Sequence, residues 1–269
     1  MTSIVVWSAA DARGPASINI ATDSRISWGG THHWDQGKKV FAASSRPLVV
    51  GFVGDVLFPT LSIPVVLDRI DRGMFDGGAS LSSTVIAAIR ALWRDYPDRE
   101  HRLQKIFIAY RTGAGMAATF GLTVMSHAGG PKSRWTTSEV AIPPRSLPLV
   151  VGGSGAPSIR RTLKLWEDST ASGTSRAVFS ALAESITDGI DPLSGGAPQL
   201  GSLYRVGDGR LLGVVHNNQR YFAGAHLLGN ETILPAEWRN ALFEITDGQT
   251  KRRRPDAQPH QPRWSGGPS

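Results

Sequence analysis

The chain contains no cysteine, which excludes disulfides, thiolate metal sites and a cysteine nucleophile together. It has no run near the roughly 18 consecutive apolar residues of a membrane-spanning helix. The start also lacks the basic segment and apolar core of a secretory signal. These absences predict a cytoplasmic protein with no membrane association. Charged residues are only 19% of the 269 positions and apolar ones 41%, proportions with which a soluble chain can bury a full core.

Acidic residues are scarce at one end. Between Thr250 and Ser269, Lys251, Arg252, Arg253, Arg254 and Arg263 face a single Asp256, so +4 of the net +7 lies there. This stretch, "TKRRRPDAQPHQPRWSGGPS", is rich in Pro, Gly and Gln and has little to bury. The sequence therefore divides into one domain over 1–247 and a basic, disordered tail over 248–269. The tail is the one segment with the composition to touch nucleic acid or an acidic partner; the body, with about +3, does not read as a nucleic-acid binder.

What is present is a change of period along the chain. "SIVVW" and "SINIATD" flank the turn signal Gly14-Pro15 and predict a hairpin, followed by strands in "KKVFAAS" and "PLVVGFVGD". Apolar spacing then becomes helical in "VLFPTLSIPVVLDRIDRGM" and "SLSSTVIAAIRALWRDY", with Ser80 placed to cap the second. Pro59 and Pro64 require the first of these to begin late or bend. Strands return in "KIFIAYR", "MAATFGLTVMSH", "RWTTSEVAI" and "PLVVGGSGA". Helices follow in "PSIRRTLKLWEDS" and "SRAVFSALAESITDG", and the body closes on "GSLYRVGDG" and "RLLGVVHNN". The order strands, two helices, strands, two helices, strands predicts an α+β fold, a four-layer αββα sandwich of two antiparallel sheets between helical layers.

The chemistry is sought first at "MTSIVVW". A hydroxyl is a poor nucleophile until a base takes its proton. An N-terminal threonine carries that base on the same residue, because a free α-amine has a pKa of about 7.7–8.0. Removal of Met1 exposes Thr2. Such a site also needs a fixed cation, a carboxylate to hold it and a backbone N–H for the oxyanion. Asp23 of "ATDSR", Lys38 and Lys39 of "GKKVF", and Gly51 of "VVGFVGD" supply these types. Read one at a time, each has a plainer role: Asp23 as a turn carboxylate for Arg25, Gly51 as a packing glycine, Ser154 as a helix cap. No metal or cofactor is expected. The adjacent His32 and His33 lack a third ligand, and "VVGGSGAPSIRR" lacks the third glycine of a dinucleotide loop.

Taken together, "MT", "ATDSR", "GKKVF", "VVGFVGD", "VVGGSG" and "DPLSGG" resemble, in that order, the motifs of proteasome β subunits and their bacterial relatives, the N-terminal-nucleophile hydrolases with threonine peptidase activity. The resemblance runs from Thr2 to about Val215. It implies Thr2 as nucleophile and Lys39, sixteen residues after Asp23, as the lysine paired with it. Gly51 becomes the oxyanion donor, with Ser154, Asp191 and Ser194 as the network around the threonine amine. Arg25 fills the family's following basic position, and the substrate pocket falls near Ile26, Ser27 and Val53. It further implies a peptide or unfolded-protein substrate, a homo-oligomeric ring or open spiral, and an ATP-dependent unfoldase or other activator. Two other readings stand beside it: a non-catalytic scaffold subunit of the same fold, and an amidase acting through Thr2 on a small-molecule amide. The first hairpin turn is longer than the family's, which leaves the register of Thr2 against Asp23 for the structure to decide.

Overall fold

The computed structural model describes residues 2–28, 32–75, 80–97, 103–130, 132–229, 231 and 236–263. Met1, whose removal the chemistry requires, and tail residues 264–269 lie outside the described residues. The fold is mixed α and β, with four α-helices and several antiparallel sheets among the described residues. No helix in them is long and apolar enough to cross a membrane.

The strands β1 (Ser3–Asp11) and β2 (Gly14–Thr22) form the first hairpin. Its turn is short after all: Asp11 pairs with Gly14, and the extra length goes into the arms, with a register shift between Ala9 and Ala10. The consequence is felt at the far end. Ile4 faces Thr22, and the N–H of Asp23 reaches the carbonyl of Ser3 at 3.2 Å. Asp23 is thereby fixed beside the start of the chain.

A small hairpin of β3 (Ile26–Trp28) and β4 (His32–Trp34) follows, in which His32 and His33 are exposed. Then come β5 (Val40–Ala42) and β6 (Leu48–Gly54), and helices α1 (Leu57–Asp71) and α2 (Leu81–Asp95). Pro59 falls in the first turn of α1, where no N–H is needed, whereas Pro64 lies inside the helix. Ser80 caps α2 by accepting the N–H of Ser83 at 3.2 Å. Strands β7 (Gln104–Thr112), β8 (Thr119–His127) and β9 (Thr136–Val140) complete a five-stranded sheet in the order β5-β6-β7-β8-β9.

The chain returns to the first sheet with β10 (Leu147–Gly153), covers it with α3 (Ala156–Glu167) and α4 (Ser175–Thr187), and adds β11 (Gln199–Tyr204) and β12 (Arg210–His216). Four short strands, β13 (Gln219–Phe222), β14 (Ala225–His226), β15 (Trp238–Asn240) and β16 (Ile245–Thr246), extend it to nine.

Strand alternation sorts the apolar residues into three clusters. Val5 and Trp7 pack with Ile159, Phe179 and Leu182 of α3 and α4. Ile4 and Val6, their neighbours of opposite face, pack with Val40, Val53, Phe107 and Val124 of the second sheet. Phe52, Ile106 and Met125 pack with Phe58, Val66 and Ile89 of α1 and α2. A fully buried leucine- or valine-sized side chain contributes roughly 1.5–3 kcal/mol, so these three clusters carry most of the fold's stability.

The expectation of a disordered tail from 248 does not hold for residues 248–263. Thr246 bridges Arg253, the N–H of His260 reaches Glu244 Oε1 at 2.7 Å, Ala257 is buried, and Arg263 pairs with Glu184 of α4. Two of the basic side chains, Arg253 and Arg263, find carboxylates on the body, which composition alone does not reveal.

Candidate active site

The alternation of β1 sends the side chain of Thr2 to the face of Ile4, between the sheets, and that of Ser3 to the face of Val5, toward α3 and α4. The Ser3 hydroxyl enters one polar network, and the Ser3 backbone amide joins another.

Beside the peptide that joins Thr2 to Ser3 stands a buried ion pair. Lys39 Nζ donates to Asp23 Oδ1 at 2.8 Å, and both side chains are 0% exposed. The same oxygen accepts the Ser3 N–H at 2.9 Å, so one atom joins the ammonium to the peptide between Thr2 and Ser3. Asp23 Oδ2 accepts the N–H groups of Arg25 and Gly195, each at 3.1 Å. The carboxylate is thus held by three amides and an ammonium. An isolated buried charge of this kind costs several kcal/mol; a fully hydrogen-bonded one is tolerated. Burial holds the Lys39 ammonium below the usual lysine range, with the Asp23 charge opposing that effect. Lys38, the alternative cation, is exposed, its ammonium 4.8 Å from the Phe41 ring centre.

The Thr2 side chain is fully buried, and its Oγ1 has no hydrogen-bond partner among the described residues. A buried hydroxyl without a partner forfeits about 1–3 kcal/mol and calls for an explanation. Gly153 faces the same residue. It has φ +87°, and a Cβ there would overlap the Thr2 carbonyl oxygen, so only glycine permits β10 to end against the chain's beginning.

On the second face, Ser154 Oγ and Ser194 Oγ both donate to Asp191 Oδ2 at 2.7 Å. Ser194 Oγ also lies 2.7 Å from Ser3 Oγ. Because the Ser194 proton is committed to an acceptor-only carboxylate, the Ser3 hydroxyl is the donor in that contact. The structure therefore brings Ser154, Asp191 and Ser194 together, and ties them to Ser3. The cap of α3 is Gly155, with no side-chain bond, so the capping role for Ser154 falls away. "DPLSGG" is a self-closed turn, in which Leu193 N–H donates to Asp191 Oδ1 and Ser194 N–H to the Asp191 carbonyl.

Gly51 is elsewhere. It lies mid-strand in β6, paired with Val40 on one side and Phe107 on the other, so its N–H points into a ladder. A Cβ at this position would come within 2.7 Å of Ile20 Cγ2. The missing side chain admits Ile20 across the sheets, and the packing reading of Gly51 replaces the oxyanion one. Arg25 pairs with Asp35 at 2.7 Å rather than with the Asp23 carboxylate, and donates to the Pro192 carbonyl at 3.1 Å. Of the expected pocket positions, Val53 lines a cavity of about 520 Å³ between the sheets, whereas Ile26 and Ser27 do not.

Two contributors escaped sequence reasoning. Gln199 accepts the N–H of Lys39 at 3.0 Å and donates to the carbonyls of Asp23 and Gly37 at 3.0 and 2.7 Å. It shares the inter-sheet face with Leu203, and a glutamine on an apolar face was its visible signal. Gly195, which completes the Asp23 carboxylate, had none beyond the repeated glycines of "LSGG".

No family model matches the sequence, and no curated protein matches it.

Proposed function

We propose that this chain is an N-terminal-nucleophile hydrolase of the proteasome β-subunit type, a four-layer αββα sandwich that cleaves peptide bonds through Thr2. One observation carries the reading: a fully buried lysine–aspartate pair shares an oxygen with the amide next to Thr2, whose own hydroxyl is buried with no hydrogen-bond partner among the described residues. Neither group serves packing better than an apolar side chain would; both serve a reaction.

While Met1 is attached, the Thr2 nitrogen is an amide and cannot act as a base. Its removal leaves an amine on the nucleophile's own residue, which takes the Oγ1 proton as Oγ1 attacks the carbonyl carbon. The amine then gives that proton to the leaving nitrogen as the C–N bond breaks, leaving an acyl ester on Thr2. Water, deprotonated by the same amine, releases the acid and regenerates the hydroxyl. Lys39 contributes a positive charge that favours the developing alkoxide and keeps the neighbouring amine unprotonated. Asp23 holds that charge in place, and the Ser154–Asp191–Ser194 network fixes the strand start through Ser3. The reading includes a homo-oligomer in the cytoplasm, fed unfolded protein by an ATP-dependent partner.

The test is intact-mass analysis of the purified chain beside hydrolysis of fluorogenic peptides. The reading predicts a species beginning at Thr2 that cleaves peptides, and loss of cleavage without loss of fold in Thr2→Ala. Full activity in a chain retaining Met1 contradicts it.

A further inference from the structure

The cavity between the sheets has a composition the mechanism does not use. Its walls are rows of cross-strand neighbours on one face of the second sheet. Val53 pairs with Lys105 and Lys105 with Ser126; two residues along, Phe107 pairs with Val124 and Val124 with Ser138. All six line the cavity. Phe107, Val124 and Val53 belong to the inter-sheet core, so Lys105 also points inward, at the mouth rather than toward the helices. It is the one charged side chain among the described lining residues and has no carboxylate partner among the described residues. The opposite wall is Gly152, Gly153 and Ser154. Gly152 leaves the floor open over Ile4 and Phe107, and Gly153 abuts the Thr2 carbonyl. The cavity therefore reaches the backbone beside Thr2, which does not itself line it.

Resting on the peptidase reading above, we propose that this cavity selects a substrate side chain that is acidic on an aliphatic stem, with glutamate as the type. The stem lies along Phe107, Val124 and Val53. The carboxylate meets the Lys105 ammonium, and the hydroxyls of Ser126 and Ser138 supply donors. A cation at the mouth of an apolar slot, with no carboxylate partner among the described residues, favours an anion over its neutral isostere and repels a cation. Lys105 is exposed, so it discriminates without the large desolvation of a buried pair.

The test separates binding from turnover. Blocked tripeptide anilides that differ only in a final Glu, Gln or Lys are titrated calorimetrically against the full Thr2→Ala chain, which binds without cleaving. The Glu peptide is expected to bind roughly tenfold more tightly than the Gln one, with the Lys peptide weakest. Lys105→Met should abolish the difference and Lys105→Glu should invert it, both with an unchanged melting temperature, since Lys105 is exposed and has no carboxylate partner among the described residues. Equal binding of Glu and Gln peptides, no binding of either, or a preference that survives both substitutions overturns the proposal. Lys105-dependent binding in a chain whose unsubstituted form cleaves nothing leaves the pocket standing and removes the peptidase reading. Cleavage indifferent to Lys105 does the reverse.

Discussion

Lys39 and Asp23 meet at 2.8 Å with neither side chain reaching solvent, and the carboxylate oxygen between them also accepts the Ser3 amide. Substitutions should separate what this pair does for stability from what it does for chemistry. Removing one partner of a buried ion pair costs about 3–5 kcal/mol, whereas replacing both by apolar groups of similar volume is near neutral. Lys39→Met should therefore lower unfolding free energy by a few kcal/mol, and Lys39→Met with Asp23→Leu should recover most of it. Peptide cleavage should be absent from both. Recovery of cleavage along with stability would make the pair a packing device only.

Gly51 should behave as a packing residue. In Gly51→Ala the new methyl meets Ile20 Cγ2 at 2.7 Å, and overpacking of this kind costs about 1–3 kcal/mol. Denaturant unfolding should show that loss, with partial rescue by Ile20→Val. Cleavage per folded molecule should stay close to that of the parent chain.

Two buried histidines set the acid side of stability. His216 and His127 both have pKa values lowered by burial; His127 Nδ1 already accepts the Gly129 N–H at 3.2 Å. Between each folded pKa and about 6.5 the unfolded state holds a proton that the folded state refuses. Stability is full above pH 6.5 and falls as pH drops below it. Melting temperature measured from pH 7.5 to 5 should decline, and His216→Phe should reduce the slope.

Activity has a separate pH limit. Because the Lys39 pKa is lowered, the cation is lost at a pH below the 10.4 or so of an ordinary lysine. The alkaline limb of kcat/KM should fall there while the histidines are already neutral. A rate that stays flat to pH 11 would remove Lys39 from the reaction.

The tail gives a smaller effect. Arg263 and Glu184 are only 11% and 19% exposed in their side chains, and Glu184 also accepts Trp166 Nε1 at 2.8 Å. Arg263→Ala should lower unfolding free energy by about 1 kcal/mol, where a disordered tail would show no change.

The hairpin β1–β2, the helices and the Asp23–Lys39 spacing were legible because each rests on local period or on residues close along the chain. Lys39 was separated from Lys38 only by the spacing that the family resemblance implies; the residues alone differ in no more than which side of the strand start they leave. Gly51 and the true packing partner Ile20 are 31 residues apart, so nothing local marked the contact. Strands β13 to β16 were missed because they run only two to four residues each, too short for alternation to show. The tail reads as disordered from composition because the partners of Arg253 and Arg263 are Glu244 and Glu184, carboxylates that lie outside it in the sequence.

The central claim is that Thr2 becomes the chain's first residue and attacks substrate under the influence of Lys39. An epoxyketone peptide reacts with a hydroxyl and an adjacent free amine together, so it reports both at once. After incubation with the purified chain and peptide mapping by mass spectrometry, the account predicts a single adduct on an N-terminal Thr2, absent from Thr2→Ala and from Lys39→Met. An active chain that carries no adduct, or carries it on any other residue, contradicts it.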